Sequence, residues 1–375
     1  MSSMRPKLRH VALPAVSILL IIPSAGQASP EHAAQIDQKC QAYFHVPLPE
    51  EASTVRAPTS LPSCHSLWRY YGFGGEQQDT EAARKCAWKE RALFLKDGQV
   101  QGGPGDDGLE TLANIYANGV GVPRDVRLAL RFACESAKLQ TLTTAHIDDL
   151  EDLLAEPAPK SKKEYFNMCD GSPVTPEVAI CANWQEVLND DDRGARFAQI
   201  TSKWTAPQKA AFATLLKAEG AYAAAHGRGE VNMAGTMRAV FEVDAEAAVH
   251  NDFAAALESF EAGHLPAAAE PHPEAADAAL NQEYRAIMTS AQQHKDEYGA
   301  VDPDGIRNTE RAWLKYRDAW IAFAALRYPQ VDRSVWLDLL TRDRTLVLKA
   351  TACEVDFEIP GCPDGGDPHV PQPLP

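Results

Sequence analysis

The residues best placed to do chemistry lie in Glu310-Arg311-Ala312-Trp313-Leu314-Lys315-Tyr316-Arg317-Asp318-Ala319-Trp320. Trp313, Tyr316 and Trp320 step by three and four, so a helix sets three large rings on one face. Such a face can stack against a glycan or fill a core, and helical spacing of this kind favours the core. Arg317 and Asp318 fall off that stripe. They can meet a partner or pair with each other, an ion pair of small worth at a surface. Trp313, Tyr316, Arg317 and Asp318 are therefore the candidate partner-binding residues.

Other constellations give no catalytic centre. The chain has no Gly-x-Ser-x-Gly, no His-Glu-x-x-His and no phosphate-binding Gly-Lys-Ser/Thr loop, and its eleven histidines are scattered. The acid run Asn189-Asp190-Asp191-Asp192 reads as a solvated loop or helix cap. Asp302-x-Asp304-Gly305 lacks the later glutamate of a calcium loop and reads as a turn before a helix. The stretch Asp97–Gly108 is glycine-rich and reads as a loop. The eight cysteines include no Cys-x-x-Cys, which disfavours zinc. Their even number in an exported chain points to disulfides, with Cys169/Cys181 and Cys353/Cys362 as local pairs. No cofactor and no metal are expected, and the chain reads as a non-enzyme.

The elements that position these residues are helices. Leu280, Tyr284, Ile287, Met288 and Ala291 form one apolar stripe, and Trp313 to Phe323 form a second, ended by Tyr328-Pro329. Trp336, Leu339, Leu340 and Val347 form a third. None of the three can bury its stripe alone, and each large side chain removed from water contributes roughly 1.5–3 kcal/mol. Upstream, Phe212, Leu215, Leu216 and Tyr222 mark one long helix. Gly227-Arg228-Gly229 interrupts, and Met233 to Phe260 marks another, with Met237, Phe241, Phe253, Leu257 and Phe260. Gln208-Lys209-Ala210-Ala211-Phe212 faintly echoes the Glu310 segment, but a long helical pair packing on the C-terminal helices is the simpler reading.

Leu280-Asn281-x-x-Tyr284, Glu310-Arg311-Ala312-Trp313-x-x-Tyr316-Arg317-Asp318 and Leu340-Thr341-x-x-Arg344-x-x-x-Leu348 follow one another in an order that resembles the lysozyme-inhibitor LprI-like domain. The resemblance implies a small, secreted, helical, non-enzymatic domain, some members of which block lysozyme. This chain departs from the pattern in one respect. The two cysteines of the family fall here near Trp320–Ile321 and at Trp336, where an apolar pair can keep the packing without the covalent tie.

The N-terminal half carries two related stretches. Tyr71-Gly72-Phe73-Gly74 precedes Asp79, Ala82, Ala83 and Cys86; Tyr116-Ala117-Asn118-Gly119-Val120-Gly121-Val122-Pro123-Arg124-Asp125 precedes Ala129 and Phe132. Glycine permits the left-handed turn, aspartate caps the next helix, and alanine lets two helices approach. This resembles the Sel1-like repeat, a helical hairpin implied to mediate protein contacts. Two copies are few for a stack of this kind, and a Cys64–Cys86 cross-link within the first hairpin would compensate.

Composition narrows the partners. A formal charge of −16 disfavours nucleic acid and favours a basic protein, of which a basic lysozyme is one. Residues 1–28 read as a signal peptide: Arg5, Lys7 and Arg9, an apolar run from Val11 to Ile22, then Ala25-Gly26-Gln27-Ala28. No stable membrane insertion is expected after cleavage, and the location is periplasmic or secreted. The expected organisation is all-α: Sel1-like helical hairpins over 36–156, a helical middle over 165–263, a three-helix LprI-like domain over 276–350 and a disulfide-containing flexible tail over 351–375. The expected function is inhibition of a muramidase by steric blockade; the alternative is a periplasmic scaffold for other envelope proteins.

Overall fold

The computed structural model describes residues 38–56, 64–97, 104–137, 144–167, 169, 175–267 and 271–356. The expected signal peptide, Cys362 and the tail beyond Asp356 lie outside them. The described residues form helices and no strand, an all-α fold. None of these helices is long and apolar enough to cross a membrane.

The first group is α1 (Glu50–Thr54), α2 (Ser66–Tyr71), α3 (Thr80–Asp97), α4 (Pro104–Asn118), α5 (Val126–Ala137) and α6 (Thr144–Asp152). The turns after α2 and α4 have the same chemistry. Gly72 (φ 71°) and Gly119 (φ 69°) take the left-handed conformation that their lack of a Cβ allows. The amides of Gly72 and Phe73 both reach Trp68 O, and those of Gly119 and Val120 both reach Ile115 O. Asp79 and Asp125 then cap the following helices, accepting from Ala82 N–H and Leu128 N–H at 2.9 Å each. The expected loop over Asp97–Gly108 is shorter than its glycines suggest, since α4 begins at Pro104. Gly108 lies on α4 where a Cβ would come within 2.7 Å of Ala87 O, so this glycine serves helix contact.

Among the described residues the disulfides are Cys64–Cys86, Cys169–Cys181, and Cys40–Cys134, which the sequence did not pair. The last ties the segment before α1 to α5 through two buried sulfurs. Cys353 is also disulfide-bonded. The acid run after Asn189 pairs with its surroundings: Asp191 with Lys162 (3.1 Å), Asp192 with Lys163, and Asp190 with Arg193.

The second group is α7 (Thr175–Thr201), α8 (Ala206–Gly229), α9 (Arg238–Glu261), α10 (Pro273–His294), α11 (Pro303–Arg327) and α12 (Arg333–Val355). The 27-residue α7 belongs to both groups: Ile180 and Trp184 enter the first core, Phe197 and Ile200 the second. Thr205 and Gln208 form a capping box that starts α8. Asp302 starts α11 by accepting from Asp304 N–H.

Helices α7 and α9 pack together, as do α10 and α12, while α8 and α11 lie antiparallel along their length, from Gln208 beside Leu326 to Gly229 beside Gly305, as the most extensive contact of the fold. The stripe of α11 is thus buried largely against α8, outside the three C-terminal helices. Trp204, Phe212 and Phe253 share one core with Trp320, Phe323 and Trp336; Tyr222 shares another with Leu280, Ile306 and Trp313. Trp320 and Trp336, where the sequence reading expected an apolar pair, stack with centroids 5.9 Å apart. The second long helix starts at Arg238 and not Met233, and Phe241 on it is exposed.

Gly227-Arg228-Gly229 ends α8, as expected, and the next helix starts at Arg238. The two glycines also mark contact on two sides: a Cβ at Gly227 would lie 2.8 Å from Glu242 O of α9, and one at Gly229 would lie 2.8 Å from Gly305 O of α11. Gly229→Ala should therefore overpack the α8–α11 contact and cost about 1–3 kcal/mol. Gly220→Ala, on the same helix with nothing within 4 Å, should stabilise by roughly 0.5–1 kcal/mol. Urea unfolding of the two variants checks the contrast; equal effects would contradict the close contact.

Candidate functional site: a buried ion network beside an acidic, aromatic cavity

The antiparallel packing of α8 on α11 brings the end of α8 against the middle of α12. Arg344 of α12 has a fully buried guanidinium. Its Nη1 and Nη2 donate to Glu230 Oε2 (2.9 Å) and Oε1 (2.5 Å), a bidentate pair, and its Nε donates to Glu310 Oε2 (3.0 Å). Nη1 also reaches the Tyr222 hydroxyl (3.4 Å), and the guanidinium stands over the Tyr222 ring at 5.6 Å. His226 Nδ1 shares Glu230 Oε2 at 2.8 Å. Burial works to raise the Glu230 carboxyl, but the Arg344 charge and its hydrogen bonds override it and hold the group down at about 2. Just beyond, Asn232 donates its amide to Glu354 Oε2 and its side-chain nitrogen to Glu354 O, both at 3.2 Å, so α12 grips the α8–α9 connection.

Next to this network lies a cavity of about 100 Å³ between α9 and α12. The two helices meet at one end, where Phe260 and Trp336 touch edge to face at 5.2 Å. Two turns further along they leave a space walled by Phe253, Tyr316 and Trp320. Tyr316 stacks on Tyr222 (5.5 Å) and accepts from Trp320 Nε1 (2.7 Å). Asp252 of α9 and Asp343 of α12 also line the space. Among the described residues neither makes a hydrogen bond or an ion pair. Burial pushes Asp252 up to about 6, and burial together with the Asp252 charge pushes Asp343 up to about 7.

The sequence candidates divide between this site and the surface. Tyr316 and Trp313 line the cavity, Trp313 being buried in the core. Arg317 stands over the outer side of Trp313 (5.4 Å) and donates to the exposed Asp318 (2.9 Å), away from the cavity. Arg344 and Glu310 were visible only as motif positions. Asp252 and Asp343 were missed, although each interrupts an apolar stripe at helical spacing, Asp343 between Leu340 and Val347 and Asp252 between Val249 and Ala256. A carboxylate at a core position of an otherwise apolar face is the signal that could have found them.

Residues 263–348 match the family described as lysozyme inhibitor LprI. Comparison with curated proteins and with solved structures returns no match. The LprI segment covers α10, α11 and α12 as far as Leu348, and it supplies Glu310, Asp343 and Arg344. Tyr222, His226, Glu230 and Asp252 come from helices before it, so ion network and cavity both straddle its boundary. Cys64, Cys86 and Glu90 also converge, with ligand atoms within 4.8 Å of one another, but the two sulfurs are bonded to each other and offer no thiolate.

Arg344→Met should leave Glu230 charged and buried without its partner, at a cost of about 3–5 kcal/mol, read as an early loss of helical circular dichroism in urea. A change within 1 kcal/mol would contradict the network. The carboxyls of Asp252 and Asp343 have the opposite linkage. Their folded pKa values lie above the unfolded one, so their contribution is full at low pH and is lost as pH rises from about 4 through about 7. The thermal midpoint of Asp343→Asn minus that of the wild type should therefore grow across that window and level off above it; a flat difference would mean a solvated carboxylate.

Proposed function

We propose that this protein is an exported inhibitor that binds a muramidase of the lysozyme type and blocks it sterically, with no catalysis of its own. The observation that carries this reading is the match of residues 263–348 to the lysozyme inhibitor LprI family. Three features support it. The charge of −16 suits a basic partner. The disulfides suit an oxidising compartment outside the cytoplasm. The outer ridge of α11 presents Leu314, Arg317 and Asp318 toward solvent, beside the cores and free of the stripe that fills them. Trp313 and Tyr316, which the sequence put beside them, serve that ridge from below: Trp313 carries the Arg317 guanidinium on its ring.

A second reading rests on the N-terminal hairpins. Their two turns share glycine geometry, carbonyl pairing and aspartate caps. This fits Sel1-like repeats, and such a pair of hairpins would make the chain a scaffold for other envelope proteins.

Turbidity clearing of cell-wall suspensions by lysozyme tests the first reading. The mature protein should reduce turnover at near-equimolar ratio, and Asp318→Lys should weaken that effect by about tenfold through like-charge contact with a basic enzyme. Unchanged turnover at large excess would overturn inhibition. A crosslinker placed at Gly121, between the helices of the second hairpin, that captures the same envelope protein reproducibly would then favour the scaffold.

A further inference from the structure

We propose that the cavity between α9 and α12 binds an organic cation, an alkylammonium or guanidinium head, with Asp252 and Asp343 as its counter-ions. The inference goes beyond muramidase inhibition and stands without it.

The two carboxylates are the starting point. They face the same small space, the Asp252 charge adds to burial in raising the proton affinity of Asp343, and among the described residues no cation pairs with either. Arg344 is next to Asp343 in sequence and also lines the cavity, yet its charge is committed to Glu230 and Glu310. From α8 and α11 come only the Tyr222 and Tyr316 hydroxyls, both held neutral by burial. Glu219, whose charge reaches Tyr316, is already paired with His250 at 2.7 Å. The space therefore carries an uncompensated acidic pair.

Unpaired half-buried charge is costly, and proteins keep it where it meets something. The walls say what. Phe253, Tyr316 and Trp320 present aromatic surface, which attracts a cation through the ring quadrupole and favours a weakly hydrated organic one. A calcium ion needs six or more oxygen ligands, and two carboxylates among rings do not supply them. A space of about 100 Å³ is enough for one charged head. A further polar group is unmet: Trp336, 2 % exposed and part of the lining, has an indole N–H without an acceptor among the described residues. A ligand carrying a carbonyl next to its cation, as a lysine or arginine in a peptide does, would offer one.

The same head can arrive as a free amine or on a peptide, so the test uses both. Thermal unfolding and tryptophan fluorescence of the full chain are followed with n-butylammonium chloride, with N-acetyl-lysine methylamide, and with sodium and calcium chloride at matched ionic strength, at pH 8 and pH 5. The expected result is a rise in midpoint at pH 8 with one or both organic cations, shrinking sharply at pH 5 as the carboxyls take up protons. Asp252→Asn/Asp343→Asn should bind about tenfold more weakly or not at all. A response to the free amine alone identifies a small-molecule site, and a stronger one to the peptide form identifies a site for a partner's side chain. Equal shifts with sodium, a response to calcium alone, or undiminished binding by the double variant would each overturn the proposal. Should that variant fail to fold, the pH 8 against pH 5 comparison on the wild type decides. No muramidase enters the assay, so cation binding and muramidase inhibition can each fail alone.

Discussion

A guanidinium with no access to water has to be answered at every nitrogen, and the architecture of the C-terminal half follows from how Arg344 is answered. Glu230 takes two of its nitrogens and Glu310 the third. These acids sit on different helices, so the charge balance closes only when the end of α8 and the start of α11 both lie against α12. Leaving either acid or the arginine alone in that environment costs several kcal/mol. The glycines come next in the chain of causes. Glu230 follows Gly229 directly, and Gly229 packs on Gly305 backbone to backbone. Larger residues at that contact would push α8 outward and lift Glu230 away from Arg344.

The rest of the half is arranged around that point. Tyr222 has the Arg344 guanidinium over its ring and stacks on Tyr316, which links the ions to the aromatic cluster of Phe253, Trp320 and Trp336. In both α7–α8–α9 and α10–α11–α12 the outer helices pair, and the central helices α8 and α11 pack on each other antiparallel, so the LprI segment finds its complement in the helices before it. The gap left between α9 and α12 is where Asp252 and Asp343 meet. The N-terminal hairpins are held by other means, a Cys40–Cys134 bond and the bidentate pair of Arg91 with Glu135, and reach this half through α7.

The sequence was informative where a pattern repeats and weak where contacts are long-range. Trp313, Trp320 and Phe323 could be assigned to one buried face because three- and four-residue steps say so. Asp79, Asp125 and their glycines announced two hairpin turns, and Trp320 with Trp336 announced an apolar pair where the related family has cysteines. Gly227 and Gly229 rightly marked the end of α8, but their local propensity said nothing of the two close helix contacts that the structure also builds on them. Arg344 stood in a motif, but nothing near it in the chain names Glu230, 114 residues away. Asp252 and Asp343 were hidden for the same reason: an isolated carboxylate on an apolar stripe becomes a site only when another helix brings a second one opposite.

Native-state hydrogen exchange bears most directly on the claim that the Arg344 network joins the helices before the LprI segment to those within it. Amides of α8 and α11 should open with one common free energy in the wild type, and in Arg344→Met both should lose protection together. If α8 and α9 lose protection while α10 to α12 keep theirs, the LprI segment folds on its own and the network is a local ornament, contrary to this account.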